Sequence, residues 1–307
     1  MQAGSFAHYA LFYRSRGEYA RQVCSFVREG LAAAEAVLVA VPGRRLDLVR
    51  GALGETAGAV SFADMAVPGP NPARIIPAIR RFTDSRRPRR TRFVGEPVWA
   101  GRPAAEIAGA TQHEALINTA LAAVPATVLC PYDASGLGAA VLDDARRTHP
   151  RVVEDGAWRA SADYSGTAVA RATAAQPMPS PPAGARPAAF SGQDLPALRE
   201  HLSRRAAREG LSSSRAQDLV LAVHEIAAST VVHAGGTGTL AIWRDGTALV
   251  CEIRDDGRIT DPLAGRHPGS PHDDSGHGLR LAHELCDLVE IRPGHQGTTV
   301  RLHMLIS

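Results

Sequence analysis

Glu225 and Ser229 stand one helical turn apart. The chain then supplies Asp255-Asp256-Gly257 and, further on, the glycine-flanked turn Gly276-His277-Gly278-Leu279. Residues at i and i+4 of a helix are neighbours, so Glu225 and Ser229 can converge on one bound group. Asp255 continues the parity of Leu249, Cys251 and Ile253 and so ends a strand. A carboxylate there can accept a hydrogen bond from an exocyclic amine such as that of adenine, and Gly257 lets the backbone turn close to a flat base. Gly276 and Gly278 at a helix N-terminus leave N–H groups free to approach phosphate oxygens, helped by the helix dipole. Taken singly, each feature has an ordinary alternative: a solvated Glu, a plain Asp-Gly turn, a helix start. Together, a carboxylate on a helix, a second at a strand end and a glycine-rich turn before another helix suit a purine triphosphate.

The elements that must position these groups are legible around them. Leu219, Val223, Ile226 and Thr230 form one helical stripe, widened by Val220, Ala227 and Val231, which leaves Asp218, Glu225 and Ser229 on the far side. Leu240 and Ile242 alternate up to Asp245-Gly246, and Leu249, Cys251 and Ile253 alternate beyond it, which marks a hairpin. Leu279, Ala282 and Leu285 give the helix after the glycine turn an apolar stripe, and Val300, Leu302, Met304 and Ile306 supply a last half-buried strand. With helices over 195–208 and 214–233, the second half reads as helices on one face of a sheet, an α+β sandwich. The polar, Gly/Pro-rich run 267–275 reads as a mobile lid over the site.

A chain of 307 residues is long enough for two domains, each with its own core. The net charge of +3 is small for that length and gives no reason to expect a nucleic-acid partner. Cys24, Cys130, Cys251 and Cys286 are widely spaced without a C-x-x-C pair and read as reduced core residues. No stretch reaches the ~20 apolar residues of a membrane span and no charged, apolar leader opens the chain, so a cytoplasmic protein is expected. The break falls at a Pro/Ala/Gly run over 174–189 with no helical or strand period, which divides the chain into residues 1–158, a linker over 159–188, and residues 189–307. Before the linker, strands over 37–41, 60–62, 92–98 and 127–130 alternate with helices over 46–53, 72–82, 112–123 and 139–147, which predicts a mainly parallel sheet covered on both faces.

The second half, roughly residues 189–307, resembles the Bergerat-fold ATP-binding module of the GHKL superfamily, shared by gyrase, histidine kinases and anti-sigma-factor serine/threonine kinases. LVLAVHEIAASTVVHAGG, EIRDDGR, GHGLRLAHELCDLVEIR and GTTVRLHM follow the compact pattern of the anti-sigma kinases, and no phospho-accepting His box precedes them. The resemblance implies that Glu225 is the general base or water-orienting carboxylate and Asp255 the adenine contact. Gly257, Gly276, Gly278 and Leu279 would shape the nucleotide loops, and Thr298 would sit near adenine. It further implies ATP with Mg²⁺ as cofactors, and a sigma factor or its antagonist as partner, with no membrane and no direct nucleic acid; a homodimer is left open. Two departures bear on phosphoryl transfer. Ser229 stands where the family has the Asn that holds Mg²⁺, and Ile259 replaces the second Gly of D-x-G-x-G. A zinc-protease reading of His224-Glu225 fails, because Ala228 stands where H-E-x-x-H needs its second His. His267, His272, His277 and His283 fit no standard metal spacing and read as a solvated loop.

The first half resembles the MEDS-type sensory domain of bacterial regulators through HYALFYRSRGEY, FVREGLAAAEAVLVAVP, SFADM, NPARII, GEPVWAGR, HEALINTAL and CPYD, over roughly residues 7–155. That family is similar to RecA-type α/β ATPases, which implies a RecA-like sheet and a small-molecule signal. Val41-Pro42-Gly43-Arg44-Arg45 follows the first apolar strand where a phosphate loop would stand, but without the G-x-x-x-x-G-K-[ST] cradle or its Lys, so ATP hydrolysis there is not expected. His8, Glu96, Trp99, Arg102, His113, Glu114, Asn118 and Asp133 are the polar and aromatic residues of the matching segments; each reads first as core hydrogen bonding or capping, with Glu96 and Trp99 able to face a pocket. The basic run 80–92 has no interleaved aromatic platform and reads as a solvated loop rather than a nucleic-acid surface.

Overall fold

The computed structural model describes residues 6–65, 71–266, 276–294 and 297–306, in two compact units, Met1–Thr173 and Ala174–Ser307. The lid over 267–275, with His267 and His272, lies outside the described residues.

The first unit runs β1 (Ala7–Tyr13), α1 (Arg16–Ala32), β2 (Ala36–Val41), α2 (Gly43–Leu53), β3 (Ser61–Asp64), α3 (Ile75–Ser85), β4 (Thr91–Gly95), α4 (Ala104–Ala120), β5 (Ala126–Asp133), α5 (Ala139–Thr148), β6 (Arg151–Glu154), β7 (Ala157–Ala160) and α6 (Thr167–Ala175). Its seven strands lie in the order β3-β2-β4-β5-β1-β6-β7. All pair in parallel except β6 with β7. Strand side chains alternate between faces, and both faces here are apolar because helices cover each. Val39, Val94 and Leu129 point to a core shared with Val23, Phe26 and Val49 of α1 and α2. Phe93, Val128 and Cys130 face the opposite side, toward α3 and α4.

Several boundaries differ from the sequence reading for identifiable reasons. The helix expected over 112–123 starts at Ala104 behind Pro103, whose fixed φ of −57° suits a helix start; its first turns are Ala-rich and carry no apolar period. The segment 72–82 is a 3₁₀ turn, Pro72–Arg74, capped by Asn71, and only then α3. The β6–β7 hairpin, whose turn is set by positive φ at Asp155 and Gly156, and the central β1 had no clear period. The basic run is split between α3, a turn and β4. Within it, Arg87 pairs with Asp84 at 3.0 Å, Arg92 with Glu35 at 2.5 Å, and Arg89 donates to the Ala34 carbonyl at 2.9 Å.

The second unit runs β8 (Ala188–Ser191), α7 (Leu195–Arg208), α8 (Ser213–His233), β9 (Thr237–Asp245), β10 (Ala248–Asp255), α9 (His277–Leu285), β11 (Leu288–Gly294) and β12 (Gly297–Leu305). The sheet order is β11-β12-β10-β9-β8, antiparallel throughout. Leu249, Cys251 and Ile253 of β10 and Val300, Leu302 and Met304 of β12 pack under Leu219, Val223 and Ile226 of α8. The reverse face is also closed. Ala185 of the Pro-rich run packs with Trp243, Ala248 and Val250. Beside them Arg301 pairs with Glu252 at 2.5 Å and donates to the Pro179 carbonyl at 2.7 Å, while Arg292 donates to the Gln176 carbonyl at 3.0 Å. The run read as an aperiodic tether therefore lies along the sheet as a strap, held by its carbonyls rather than by a period.

Candidate functional site

In the second unit, α8 and β10 meet at Asp255. Its Oδ2 accepts the Thr230 hydroxyl at 2.6 Å, and its Oδ1 accepts the Gly257 N–H at 2.9 Å. The Thr298 hydroxyl, on the residue that pairs with Asp255 across the sheet, donates to the Gly257 carbonyl at 2.8 Å. An ionised carboxylate has about four lone-pair sites. Two are thus engaged, and half-buried Asp255 keeps acceptor capacity for a further donor.

The glycines are required by close approach. A Cβ on Gly278 would lie 3.1 Å from the Glu225 carbonyl, so the start of α9 rests directly on α8 at the proposed base. A Cβ on Gly257 would lie 2.7 Å from that of Ala234. Gly276 caps α9 with φ of 94°, a left-handed conformation that glycine adopts without penalty. Leu279 is buried in the core below this turn, Glu225 is half-buried and Ser229 is exposed. The structure thus brings Asp255, Gly257 and Thr298 into one hydrogen-bonded unit and sets Gly278 against Glu225. Glu225 and Ser229 share the outer side of α8.

Three contributors were not read as site residues. Thr230 belongs to the apolar stripe of α8, and its hydroxyl is the signal that marks it. Gly297 has φ of 117°, and a Cβ there would run into the Asp255 carbonyl. Arg266 is 6% exposed, and its Nη1 makes no hydrogen bond among the described residues. Burial lowers its pKa to about 10. Its neighbour Gly265 packs against Leu279 of α9, so the backbone at Arg266 lies close to the start of that helix.

In the first unit, the residues noted from sequence fall into two groups. Glu96, 1% exposed, accepts hydrogen bonds from the Tyr13 and Tyr19 hydroxyls, each at 3.2 Å. Burial pushes its carboxyl up to about 7, against the opposing pull of Arg45, whose Nε is 3.7 Å away. With Arg45, Trp99 and Asp133 it lines a cavity of about 390 Å³, at the carboxyl ends of the strands where open α/β sheets bind ligands.

The second group surrounds Glu114, fully buried with His8, Cys130 and His149. Burial, then the neighbouring His149, lowers the His8 pKa to about 4. Burial would raise Glu114, but His149 and His8 outweigh it and hold the carboxyl well below its usual range. Asn118 accepts from His8, and Arg102 pairs with Glu106 at 3.0 Å. Arg102, His113, Glu114 and Cys130 line a largely apolar cavity of about 300 Å³ with Phe93 and Ile117.

Residues 7–150 match the family model described as MEDS, MEthanogen/methylotroph, DcmR Sensory domain. Residues 189–304 match that of the histidine kinase-like ATPase domain. No curated protein matches the chain. A solved ATPase domain is similar over 50% of this chain and 69% of its own length, at 10% identity and a TM-score of 0.34, a likeness too slight to bear on fold or function. Among the described residues no helix is long and apolar enough to cross a membrane. The chain joins an N-terminal MEDS sensory domain, over residues 7–150, to a C-terminal histidine kinase-like ATPase domain, over residues 189–304.

Proposed function

We propose that this chain is a cytoplasmic regulator of the anti-sigma-factor type, in which the C-terminal domain binds ATP and acts on a sigma factor or its antagonist under control of a small-molecule signal received by the N-terminal domain. The observation that carries the reading is the Asp255 carboxylate, fixed by Thr230 and Gly257 yet half-exposed, beside Thr298. It suits the exocyclic amine of adenine. Gly276 and Gly278 open a helix N-terminus to the phosphates, and Arg266, whose Nη1 makes no hydrogen bond among the described residues, supplies a buried positive charge on the segment that packs against α9. The hydroxyl oxygen of Ser229 would hold Mg²⁺, a hard cation that takes oxygen ligands and supplies charge neutralisation at the phosphates. Glu225 would accept the proton of an attacking hydroxyl on the partner protein.

A second reading is favoured by one residue. Ser229 is exposed and shorter than the Asn of the resembling kinases, which suits a nucleotide-gated binding module without transfer. Labelled ATP, Mg²⁺ and candidate antagonists separate the two when wild type is compared with Ser229→Asn. Transfer by wild type supports the kinase, and transfer by the variant alone supports the binding module. Equilibrium ATP binding that is unchanged in Asp255→Asn would sink both.

A further inference from the structure

His8 of β1, Glu114 of α4, Cys130 of β5 and His149 just beyond α5 converge on one point, although they come from four separate elements. His8 and Cys130 share a sheet face because β1 and β5 pair in parallel with His8 opposite Val128, two residues before Cys130. One ligand atom from each of the four lies within 4.8 Å of the others. His8 Nε2 is 2.9 Å from Glu114 Oε2 and 3.4 Å from Cys130 Sγ. His149 Nε2 is 3.3 Å, and Cys130 Sγ 3.5 Å, from the same carboxylate oxygen. A tetrahedral zinc with nitrogen, oxygen and sulfur ligands at about 2.0–2.3 Å separates those ligands by roughly 3.3–3.7 Å. The cluster is close to the right size before any adjustment.

The outer hydrogen bonds fix the tautomers. Asn118 Nδ2 donates to the carbonyls of Glu114 and Thr148, at 3.1 and 2.9 Å, so its Oδ1 must accept, and His8 Nδ1 donates to it at 3.1 Å. His149 Nδ1 donates to the Ala145 carbonyl at 2.8 Å. With both Nδ1 atoms committed as donors, Nε2 is the ring nitrogen of each histidine left to bind a metal, and the two lie 2.9 and 3.3 Å from Glu114 Oε2. His149 Nε2 and Glu114 Oε1 make no hydrogen bond among the described residues. A buried carboxylate needs positive charge beside it, from a protonated imidazole or from a metal ion held between these groups. Second-partner hydrogen bonds of this kind are what orient metal-bound histidines.

From this geometry we infer that His8, Glu114, Cys130 and His149 form a binding site for a divalent transition metal of the zinc class. Binding displaces the Cys130 proton to solvent, and the thiolate and carboxylate then neutralise the two positive charges, as a buried site requires. Glu114 and Cys130 also line the apolar 300 Å³ cavity, so small neutral molecules in that cavity would meet the metal directly. The inference is independent of ATP binding in the other domain.

The test uses the full chain without an affinity tag, stripped with chelator and titrated with Co²⁺ and then Zn²⁺. The expected result is one Co²⁺ per chain, with the intense visible bands of a tetrahedral centre and a near-ultraviolet thiolate-to-metal band, all removed by stoichiometric Zn²⁺. Cys130→Ser should lose the thiolate band, His149→Gln should lose most binding, and Asn118→Ala should keep the spectrum while weakening affinity roughly 10–100-fold. Absence of the thiolate band in the wild-type titration, which needs no variant to fold, would overturn the site. So would binding that Cys130→Ser and His149→Gln leave unchanged.

Discussion

The Thr230 hydroxyl donates to Asp255 Oδ2 across 2.6 Å, tying the last turn of α8 to the end of the hairpin formed by β9 and β10. Thr230 is 1% exposed and its hydroxyl oxygen sits 3.1 Å from the Ile226 carbonyl one turn back, so its position is set by the helix rather than by solvent. Thr230→Val keeps the shape and removes the donor. It should weaken ATP binding about tenfold, equivalent to about 1.4 kcal/mol, with unchanged far-ultraviolet circular dichroism. Isothermal titration with ATP measures this, and an unchanged affinity would detach Thr230 from the site.

Gly297→Ala should be far more damaging than Gly278→Ala. At Gly297 the new Cβ meets the Asp255 carbonyl at a φ of 117°, where neither chain can yield cheaply. At Gly278 the clash with the Glu225 carbonyl is 3.1 Å and a small shift of α9 relieves it. The expected losses are more than about 3 kcal/mol for the first and about 1 kcal/mol for the second, read by urea unfolding. Equal midpoints for the two variants would contradict the packing.

Glu96 makes the first domain's stability depend on pH in an unusual direction. Its folded pKa of about 7 exceeds the ordinary 4.5, so the native state holds the proton more tightly than the unfolded chain does. The contribution is therefore full below about 4.5, declines as pH rises, and is gone above about 7. The difference is on the order of 3 kcal/mol. Glu96→Gln should flatten that part of the profile relative to wild type in calorimetric scans across the same window; parallel profiles would refute it.

Arg301→Met should loosen the strap. Arg301, 5% exposed, holds buried Glu252 and the Pro179 carbonyl together. Glu252 keeps Arg254 at 2.8 Å, so losing the Arg301 hydrogen bonds costs about 1–3 kcal/mol. Limited digestion with elastase should then cut faster at Ala183 and Ala185, and a cleavage rate equal to wild type would show that the strap is held elsewhere.

What could be read in advance follows from how each feature is encoded. The helix stripe of Leu219, Val223 and Ile226 and the alternation of Leu249, Cys251 and Ile253 repeat along the chain, so periodicity alone places α8 and β10. The strap does not repeat: it is held by the carbonyls of Gln176 and Pro179, groups every residue possesses. The histidine-glutamate-cysteine cluster is harder still. His8 and Cys130 lie 122 residues apart and Glu114 is 16 from Cys130, so no spacing rule links them, and one at a time each looks like an ordinary core residue. Asp255, Gly257 and Thr298 were legible as a set because order along the chain matched a known module, whereas the Thr230 bond depends on which way a side chain turns.

The pairing of β8 with β9, Ala188 opposite Leu240 and Ser191 opposite Thr237, gives the connector a mechanical character. β9 in turn is zipped to β10, which ends at Asp255. A pull on the chain leading into Ala188 therefore does not dissipate in slack. It loads the ladder in shear and travels across two rows of backbone bonds to the strand bearing that carboxylate, so tension on the joint and the posture of the carboxylate are parts of one stiff lever.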